Sequence, residues 1–356
     1  MTRTPSVSVV MAVYNGERWL AETLASLAGQ TFDDFEIVII DDGSTDGSAD
    51  LLAKAAARDA RYRVITQANC GLVASLNRGL AEAQAPLVAR IDADDIAEPE
   101  RFARQIAFLG AHPAVAALGS AIRIISEDGA FRRLQAYPCG PSAVAKAMLL
   151  SCALAHPAVM MRREAVLAVG GYREAFRHAE DYDLWLRLSE RHELDNLPEP
   201  LLRYRQHGGS VSFRHRQQQA LVTFVARHCA QARRAGRPDP LHGLNRPMDL
   251  GILKELRLEP VQEAAFRLES LKAALWPAGQ DNDDAWLEEN LELAWGLRSH
   301  LPPGSFVRRC VIPYVRRCRR QGHAEIASRW TRRAFALAPL SAAWALLTAA
   351  RRGTRA

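Results

Sequence analysis

Residues 35–48 read FEIVIIDDGSTDGS. The run FEIVII (35–40) has the composition of a buried strand, and Asp41 and Asp42 close it abruptly. Gly43 permits a sharp turn. Asp46 is placed to cap a helix whose composition continues to about Arg58. A strand feeding a helix through a short turn is one half of a strand–helix–strand unit, and the flanking sequence supplies the rest.

Upstream, VSVVMAV (7–13) is a β-rich run. NGERWLAETLASLAGQ follows, with Leu20, Leu24 and Leu27 at helical spacing and Gly29 placed to stop the helix. Downstream, YRVIT (62–66), a helical stretch from about Leu72 to Ala83, and LVARI (87–91) continue the alternation. Val/Ile-rich strands alternating with helices predict a mainly parallel, Rossmann-like α/β sheet covered on both faces. Such sheets bind ligands beyond the carboxyl ends of their strands. Both acidic clusters, Asp41–Asp42 and Asp92–Asp95, fall at such ends.

Past Pro99 the pattern changes. PERFARQIAFLG is helical; VAALG, AIRII and FRRLQ have the character of short strands, with SEDG (126–129) as a turn. HPAVMMRR (156–163) is strand-like, and EDYDLWLRLSER (180–191) is a helix with Leu184, Trp185 and Leu188 on a buried face. LLRYRQHGGSVS (201–212) is a strand followed by a Gly-rich loop. From about His215 the sequence is helical to the end, with breaks near RAGRPDP (234–240), WPAGQ (276–280) and LPPGS (301–305). The expected organisation is an α/β domain over 1–215, its halves meeting near 98–99, and a helical region over 216–356.

The 356 residues carry a formal charge of +6, unevenly spread. From Leu301 onward twelve arginines face one acid, Glu325, so the rest of the chain is slightly acidic. The six cysteines lack metal-ligand spacing and read as reduced thiols. The N-terminal apolar stretch is too short for a signal peptide, and no segment reaches the roughly 20 apolar residues of a spanning helix. The expectation is a cytoplasmic protein. VRRCVIPYVRRCRR sets basic pairs around an apolar centre, as interfacial helices do, which suggests peripheral attachment to the anionic inner face of the plasma membrane. A solvated helical face is the alternative. No basic–aromatic module pattern points to nucleic acid.

The acids carry the chemistry. Asp92 and Asp94, two apart on an extended segment, point to one side. Carboxylates so placed suit a hard divalent cation, Mn²⁺ or Mg²⁺, that completes its shell with water and phosphate oxygens. A solvated loop is the bland alternative. Asp41–Asp42 suit a nucleobase N–H or a ribose hydroxyl. No Gly-rich phosphate loop follows the first strand, which leaves a metal as the phosphate's partner.

VSVVMAVYNGERWLAETLASLAGQTFDDFEIVIIDDGSTDGS, followed by ARIDADDIAEPERFARQ, resembles the inverting glycosyltransferases of family 2, over roughly residues 5–212. The resemblance implies a GT-A fold, a mixed, mainly parallel sheet flanked by helices, with a nucleotide-sugar half (about 1–98) and an acceptor half (about 99–215). It implies that Ala12, Tyr14 and Glu17 line the nucleotide pocket, that Asp42 with Asp41 contacts the base, and that Asp92 faces the ribose or phosphate. Asp94 would be the metal ligand, Asp181 the catalytic base, and His207 a second metal ligand or a diphosphate contact. Arg90 is placed to face the nucleotide. The implied donor is a nucleoside-diphosphate sugar, uridine being the family's commonest nucleotide, with dTDP and GDP sugars open. The implied acceptor is a hydroxyl of a glycan or glycolipid in cell-surface polysaccharide assembly.

Two other readings are weighed. A nucleotidyltransferase also uses paired aspartates and a metal, but it needs a basic Gly-rich loop that YNGERW lacks. A non-catalytic sugar-nucleotide or glycan-binding protein would not need Asp42, Asp92, Asp94 and Asp181 together. Among the remaining residues, Asp181 and Asp183 could simply complement a helix dipole. His156 lines the acceptor side or shapes a bend, Trp185 belongs to the core, and Arg162 and Arg163 read as a solvated pair or a phosphate contact.

Overall fold

A computed structural model describes residues 4–208, 216–249, 252–256, 258–275 and 284–343. Among them nine strands form one sheet: β1 Val7–Val13, β2 Phe35–Asp41, β3 Tyr62–Thr66, β4 Leu87–Arg90, β5 Ile96–Ala97, β6 Val115–Ile125, β7 Phe131–Gln135, β8 Met160–Arg162 and β9 Glu193–Arg205. The helices of this part are α1 Glu17–Ala28, α2 Ser48–Arg58, α3 Leu72–Glu82, α4 Arg101–Ala111, α5 Pro141–Met148, α6 Arg163–Ala168 and α7 Glu180–Leu188.

The sheet order is β3-β2-β1-β4-β8-β6-β9-β5, with β7 paired to β6. The first four strands are parallel, as their Val/Ile runs predict. The chain winds outward from β1 through β2 to β3, then returns to the other side of β1 as β4. That reversal makes a topological switch point, and the crevice beyond the carboxyl ends of β1, β2 and β4 is where such sheets bind ligands. Beyond β4 the sheet is mixed: β8 runs antiparallel to both β4 and β6, while β6 and β9 are parallel.

The second half departs from the sequence reading in extent. VAALG and AIRII are one continuous strand, β6, buried along nearly its whole length. β9 starts at Glu193, well before LLRYR, because its first residues pair with β6. His156–Ala158 is a 3₁₀ turn, and only Met160–Arg162 of that segment is strand. Arg162 donates to the carbonyls of Val115, Leu109 and His112, and Arg163 to those of Leu80 and Ala81. Both therefore terminate other elements instead of standing in solvent. Trp185 is fully buried, as expected.

The turns after β1 and β2 are clamped to each other. Asn15, in the left-handed region at φ 52°, donates its N–H to Ser44 Oγ and accepts from the Thr45 N–H through Oδ1. The Gly16 N–H donates to Ser48 Oγ, and the Glu17 N–H to Asp46 Oδ2. Glu17 Oε2 accepts the Gly47 N–H, and a Cβ at Gly47 would lie 2.7 Å from the Glu17 carboxyl carbon, so a side chain there would displace that carboxylate.

The described chain divides into two compact units. One holds the sheet together with Val225–Pro247. The helix α8 Arg216–Arg234 is divided between them, its residues 216–224 belonging to the other unit, which also holds α9 Ile252–Glu255, α10 Pro260–Ala274, α11 Asp284–Gly296, α12 Pro303–Phe306, α13 Ile312–Arg320 and α14 Ala324–Leu337. In the helical unit Phe306, Val307, Cys310, Val311, Ile312, Tyr314, Val315 and Cys318 are buried in a core with Leu268, Leu291 and Trp330. The apolar centre of VRRCVIPYVRRCRR is thus used in packing, and its outward face offers charge. No helix among the described residues is long and apolar enough to cross a membrane. WPAGQ and the chain beyond 343 lie outside the described residues.

α7 carries Asp181 and Asp183 on one first turn, yet their environments differ. Asp183 is fully buried; it is bound by Arg173, whose Nε lies 2.9 Å from Oδ2, and by Arg187, whose Nε also lies 2.9 Å from Oδ2. Arg187 also donates to the Val169 and Gly171 carbonyls, and Arg173 to Asp239. Removing one partner of such a network leaves buried charge uncompensated, at about 3–5 kcal/mol. Asp183→Ala should lower the denaturation free energy of the sheet unit by about that amount; a loss under about 1 kcal/mol would assign the cluster to surface pairing.

Candidate active site

The crevice is built from strand ends. β1 ends at Ala12 and Val13, then Tyr14, 54% exposed at the rim. β2 delivers Asp41 and Asp42, both buried. Asp41 Oδ1 accepts the Ser44 N–H and shapes the turn. Asp42 Oδ1 accepts from Gln67 Nε2 (2.7 Å) and the Cys70 N–H (2.9 Å), and Oδ2 accepts the Gly71 N–H (2.8 Å). A carboxylate has about four acceptor positions, and with three of them used Asp42 orders the loop before α3. Gln67 is itself held by Ser75 and Arg78.

β4 delivers Arg90, Asp92, Asp94 and Asp95. The last three can each turn one oxygen to a common point, with those atoms all within 4.8 Å of one another. Arg90 is buried and forks onto Asp92, with Nη1 2.6 Å from Oδ2 and Nη2 on Oδ1. Its guanidinium is committed to the aspartate, so it orients Asp92 from within the protein. Asp94 Oδ2 lies 2.8 Å from His207 Nε2. Asp95 is fully buried; its Oδ1 accepts the Arg205 N–H (2.9 Å), while Oδ2 is buried with no hydrogen-bond partner among the described residues.

Asp95 and Asp92 resist ionisation. Burial, then the neighbouring charges of Asp94 and Asp92, push Asp95 well above the usual carboxylate range. Burial also raises Asp92, against the pull of Arg90 and with the push of Asp94 and Asp181. An orphaned buried oxygen beside two like charges, all hard oxygen donors, fits a divalent cation.

Asp181 stands near enough for Asp92 to feel its charge. Its Oδ1 accepts the Tyr182 N–H (2.7 Å), and the Cys152 thiol lies 3.8 Å from Oδ2. Burial raises its pKa, opposed by the Tyr182 N–H and Arg90. Adjacent Glu180 is pushed up to about 7 by burial and then by the Asp181 charge. His156 is buried with Nε2 2.8 Å from the Tyr172 hydroxyl and its ring edge-on to Trp185; burial and nearby Arg90 hold it well below the usual imidazole range, as a neutral ring.

The structure therefore brings Ala12, Tyr14, Asp41, Asp42, Arg90, Asp92, Asp94, Asp181 and His207 to one edge of the sheet. Glu17 lies at that edge too, with its carboxylate in the turn clamp. Sequence reasoning passed over Glu180, Cys152, Tyr172, Trp19 and Arg205 as site residues. For Glu180 the signal was its place beside Asp181 in EDYD; the others have only their proximity in the folded chain.

A family model described as "Glycosyl transferase family 2" matches residues 8–170. The O-antigen biosynthesis glycosyltransferase WbnJ of Escherichia coli is 33% identical over 58% of this chain and 81% of its own length. The putative glycosyltransferase EpsE of Bacillus subtilis is 37% identical over 53% of this chain and 69% of its own. The chain belongs to glycosyl transferase family 2. Among solved structures, residues 1–349 of TarS from S. aureus, in complex with UDP-GlcNAc, superpose with a TM-score of 0.57 at 17% identity, covering 89% of this chain and 92% of that one. That likeness concerns the fold, which is GT-A-like. The family 2 glycosyltransferase reading of the sequence thus stands, as does its mixed sheet followed by helices.

Above its raised pKa an ionised Asp95 costs folding free energy, and that cost fades as pH falls through the raised value. At pH 7, Asp95→Asn keeps the bond to the Arg205 N–H and removes the repulsion. Its metal-free melting temperature should rise above wild type. Mn²⁺ at about 100 times its Kd should stabilise wild type by about 2.7 kcal/mol and this variant by much less, as differential scanning fluorimetry would show. A lower melting temperature with an undiminished Mn²⁺ effect would contradict the arrangement.

Proposed function

We propose that this glycosyltransferase is a cation-dependent, inverting hexosyltransferase that moves a sugar from a nucleoside-diphosphate donor to a hydroxyl of a glycan or glycolipid. The observation that carries the reading is Asp181, a half-buried carboxylate with a raised pKa, close enough to the Asp92–Asp94–Asp95 cluster for Asp92 to feel its charge. Asp92, Asp94 and Asp95, with His207, would hold Mn²⁺ or Mg²⁺, which when bound would neutralise charge on the leaving diphosphate.

The chain's own residues divide the remaining work. Asp42 would accept a single N–H of a nucleobase, and Tyr14 offers an exposed ring at the crevice rim. Arg90 offsets part of the cost of ionising Asp92 and holds its carboxylate in place. Asp181 takes the proton of the acceptor hydroxyl as that oxygen attacks the anomeric carbon. The bond from that carbon to the diphosphate oxygen breaks, and the nucleoside diphosphate leaves with the electron pair. One displacement at one face inverts the anomeric centre. Uridine is the first nucleotide to test, because TarS is solved with UDP-GlcNAc. Relatives named for O-antigen and amylovoran biosynthesis support an acceptor in surface polysaccharide assembly. We place the protein on the cytoplasmic side, with exposed arginines such as Arg309, Arg319, Arg320 and Arg332 available for electrostatic contact with an anionic membrane.

General-base assistance is worth about 10²–10⁴-fold. Asp181→Asn should lower sugar transfer by that range with donor binding intact, in an assay of nucleoside-diphosphate release from UDP-, GDP- and dTDP-sugars with acceptor. Near-wild-type turnover removes Asp181 from the chemistry.

The base works ionised, so kcat/KM should fall as pH drops through its pKa, in a limb above the ordinary aspartate value of 3.8. The limb belongs to Asp181 and not to Glu180, which is pushed up to about 7, so Glu180→Gln should leave the limb in place. A limb at or below the ordinary value, or one carried by Glu180, contradicts the assignment.

A further inference from the structure

We infer that Trp19 and Arg205 are positioning residues that set the Asp94–His207 pair in register for a cation; the inference rests on the cation-dependent reading above. His207 stands just beyond the end of β9, where backbone pairing no longer fixes its ring. Its imidazole instead lies against the Trp19 indole, with centroids 4.3 Å apart and planes at 43°. The indole cannot turn freely, because Nε1 donates to the Glu127 carbonyl in the β6–β7 turn (3.2 Å). Arg18 covers the ring at 4.7 Å. With the ring plane set by Trp19, His207 Nε2 points at Asp94 Oδ2.

Arg205 fixes the other member. Its side chain is 1% exposed, and the donors fan out to three segments. Nε donates to the Asp94 carbonyl (2.9 Å), Nη1 to the Glu127 carbonyl (3.0 Å), and Nη2 to Glu22 Oε2 on α1 (2.7 Å). Its own N–H holds Asp95 Oδ1. From α1, Thr23 Oγ1 adds bonds to the Ala93 and Asp95 carbonyls. Three stretches distant in sequence, α1, the β6–β7 turn and the end of β9, thus converge on one aspartate and one histidine. Partners of this kind orient metal ligands, and their loss typically costs about 10–100-fold in metal affinity. A lysine at 205 has the charge but not the planar fork.

The experiment is Mn²⁺ titration followed by the electron paramagnetic resonance of the free ion, with and without UDP, on wild type, Trp19→Phe, Trp19→Leu and Arg205→Lys. Trp19→Phe keeps an aromatic seat and should bind within about threefold of wild type. Trp19→Leu and Arg205→Lys should bind about 10–100-fold more weakly, at melting temperatures close to that of Trp19→Phe. Mn²⁺ should quench tryptophan emission in wild type more than in Trp19→Phe, because the indole adjoins the candidate ligand. Equal Mn²⁺ affinity in wild type, Trp19→Leu and Arg205→Lys would overturn the positioning role and leave the cation reading standing. No Mn²⁺ binding by wild type, with or without UDP, would overturn both.

Discussion

Three carboxylates confined within 4.8 Å are the constraint around which the rest of the site is arranged. Like charges so close repel strongly when partly desolvated, and the fold supplies a separate restraint for each. Arg90 forks onto Asp92, His207 approaches Asp94, and the Arg205 N–H holds Asp95. Beneath them the buried guanidinium of Arg101 binds the Arg90 carbonyl and contributes favourable charge to Asp95. The compensation is incomplete: one Asp95 oxygen stays buried and unpartnered among the described residues, and burial and mutual repulsion raise the Asp92 and Asp95 carboxyls. A group of carboxylates preorganised against its own repulsion favours a cation wherever one is available, which joins stability to ligand binding in a single feature.

The same residue type does different work a few ångströms apart, and environment decides which. Asp181 and Asp183 share a helical turn. Asp183 is sealed between Arg173 and Arg187 and ties α7 to its surroundings, whereas Asp181 is half-buried, with a raised pKa and one oxygen near a thiol. Asp41 and Asp42 are adjacent in sequence. One shapes the turn and the other accepts three hydrogen bonds that order the loop before α3. The ion network under α7 holds the helix whose first turn presents Asp181, so residues remote from the chemistry still set its geometry.

Much of this was legible in the sequence because it is local. Strand runs ending in acids gave the parallel half of the sheet and the carboxyl edge where the site lies, and DDGSTDGS, DADD, EDYD and RYRQH marked the residues that converge there. What stayed hidden depends on contacts distant in sequence. Arg90 reads as a ligand contact until the fold turns it onto Asp92. Glu17 reads as pocket lining until Gly47 approaches its carboxylate. The full lengths of β6 and β9 follow from their pairing with each other, which neither run announces. Trp19 and Arg205 each fit a helix or strand pattern, and their convergence on Asp94 and His207 appears only when α1, the β6–β7 turn and β9 meet. In the basic helical unit, composition revealed the charge, and the fold shows that the accompanying apolar residues belong to its core.

The central claim is that this cluster holds a cation that also meets the donor's diphosphate. Pulsed electron paramagnetic resonance of Mn²⁺ on the wild-type protein with UDP tests it most directly. The account predicts hyperfine coupling of the bound ion to phosphorus, together with a nitrogen coupling that disappears in His207→Ala. Bound Mn²⁺ without phosphorus coupling would place the ion away from the diphosphate and contradict the account.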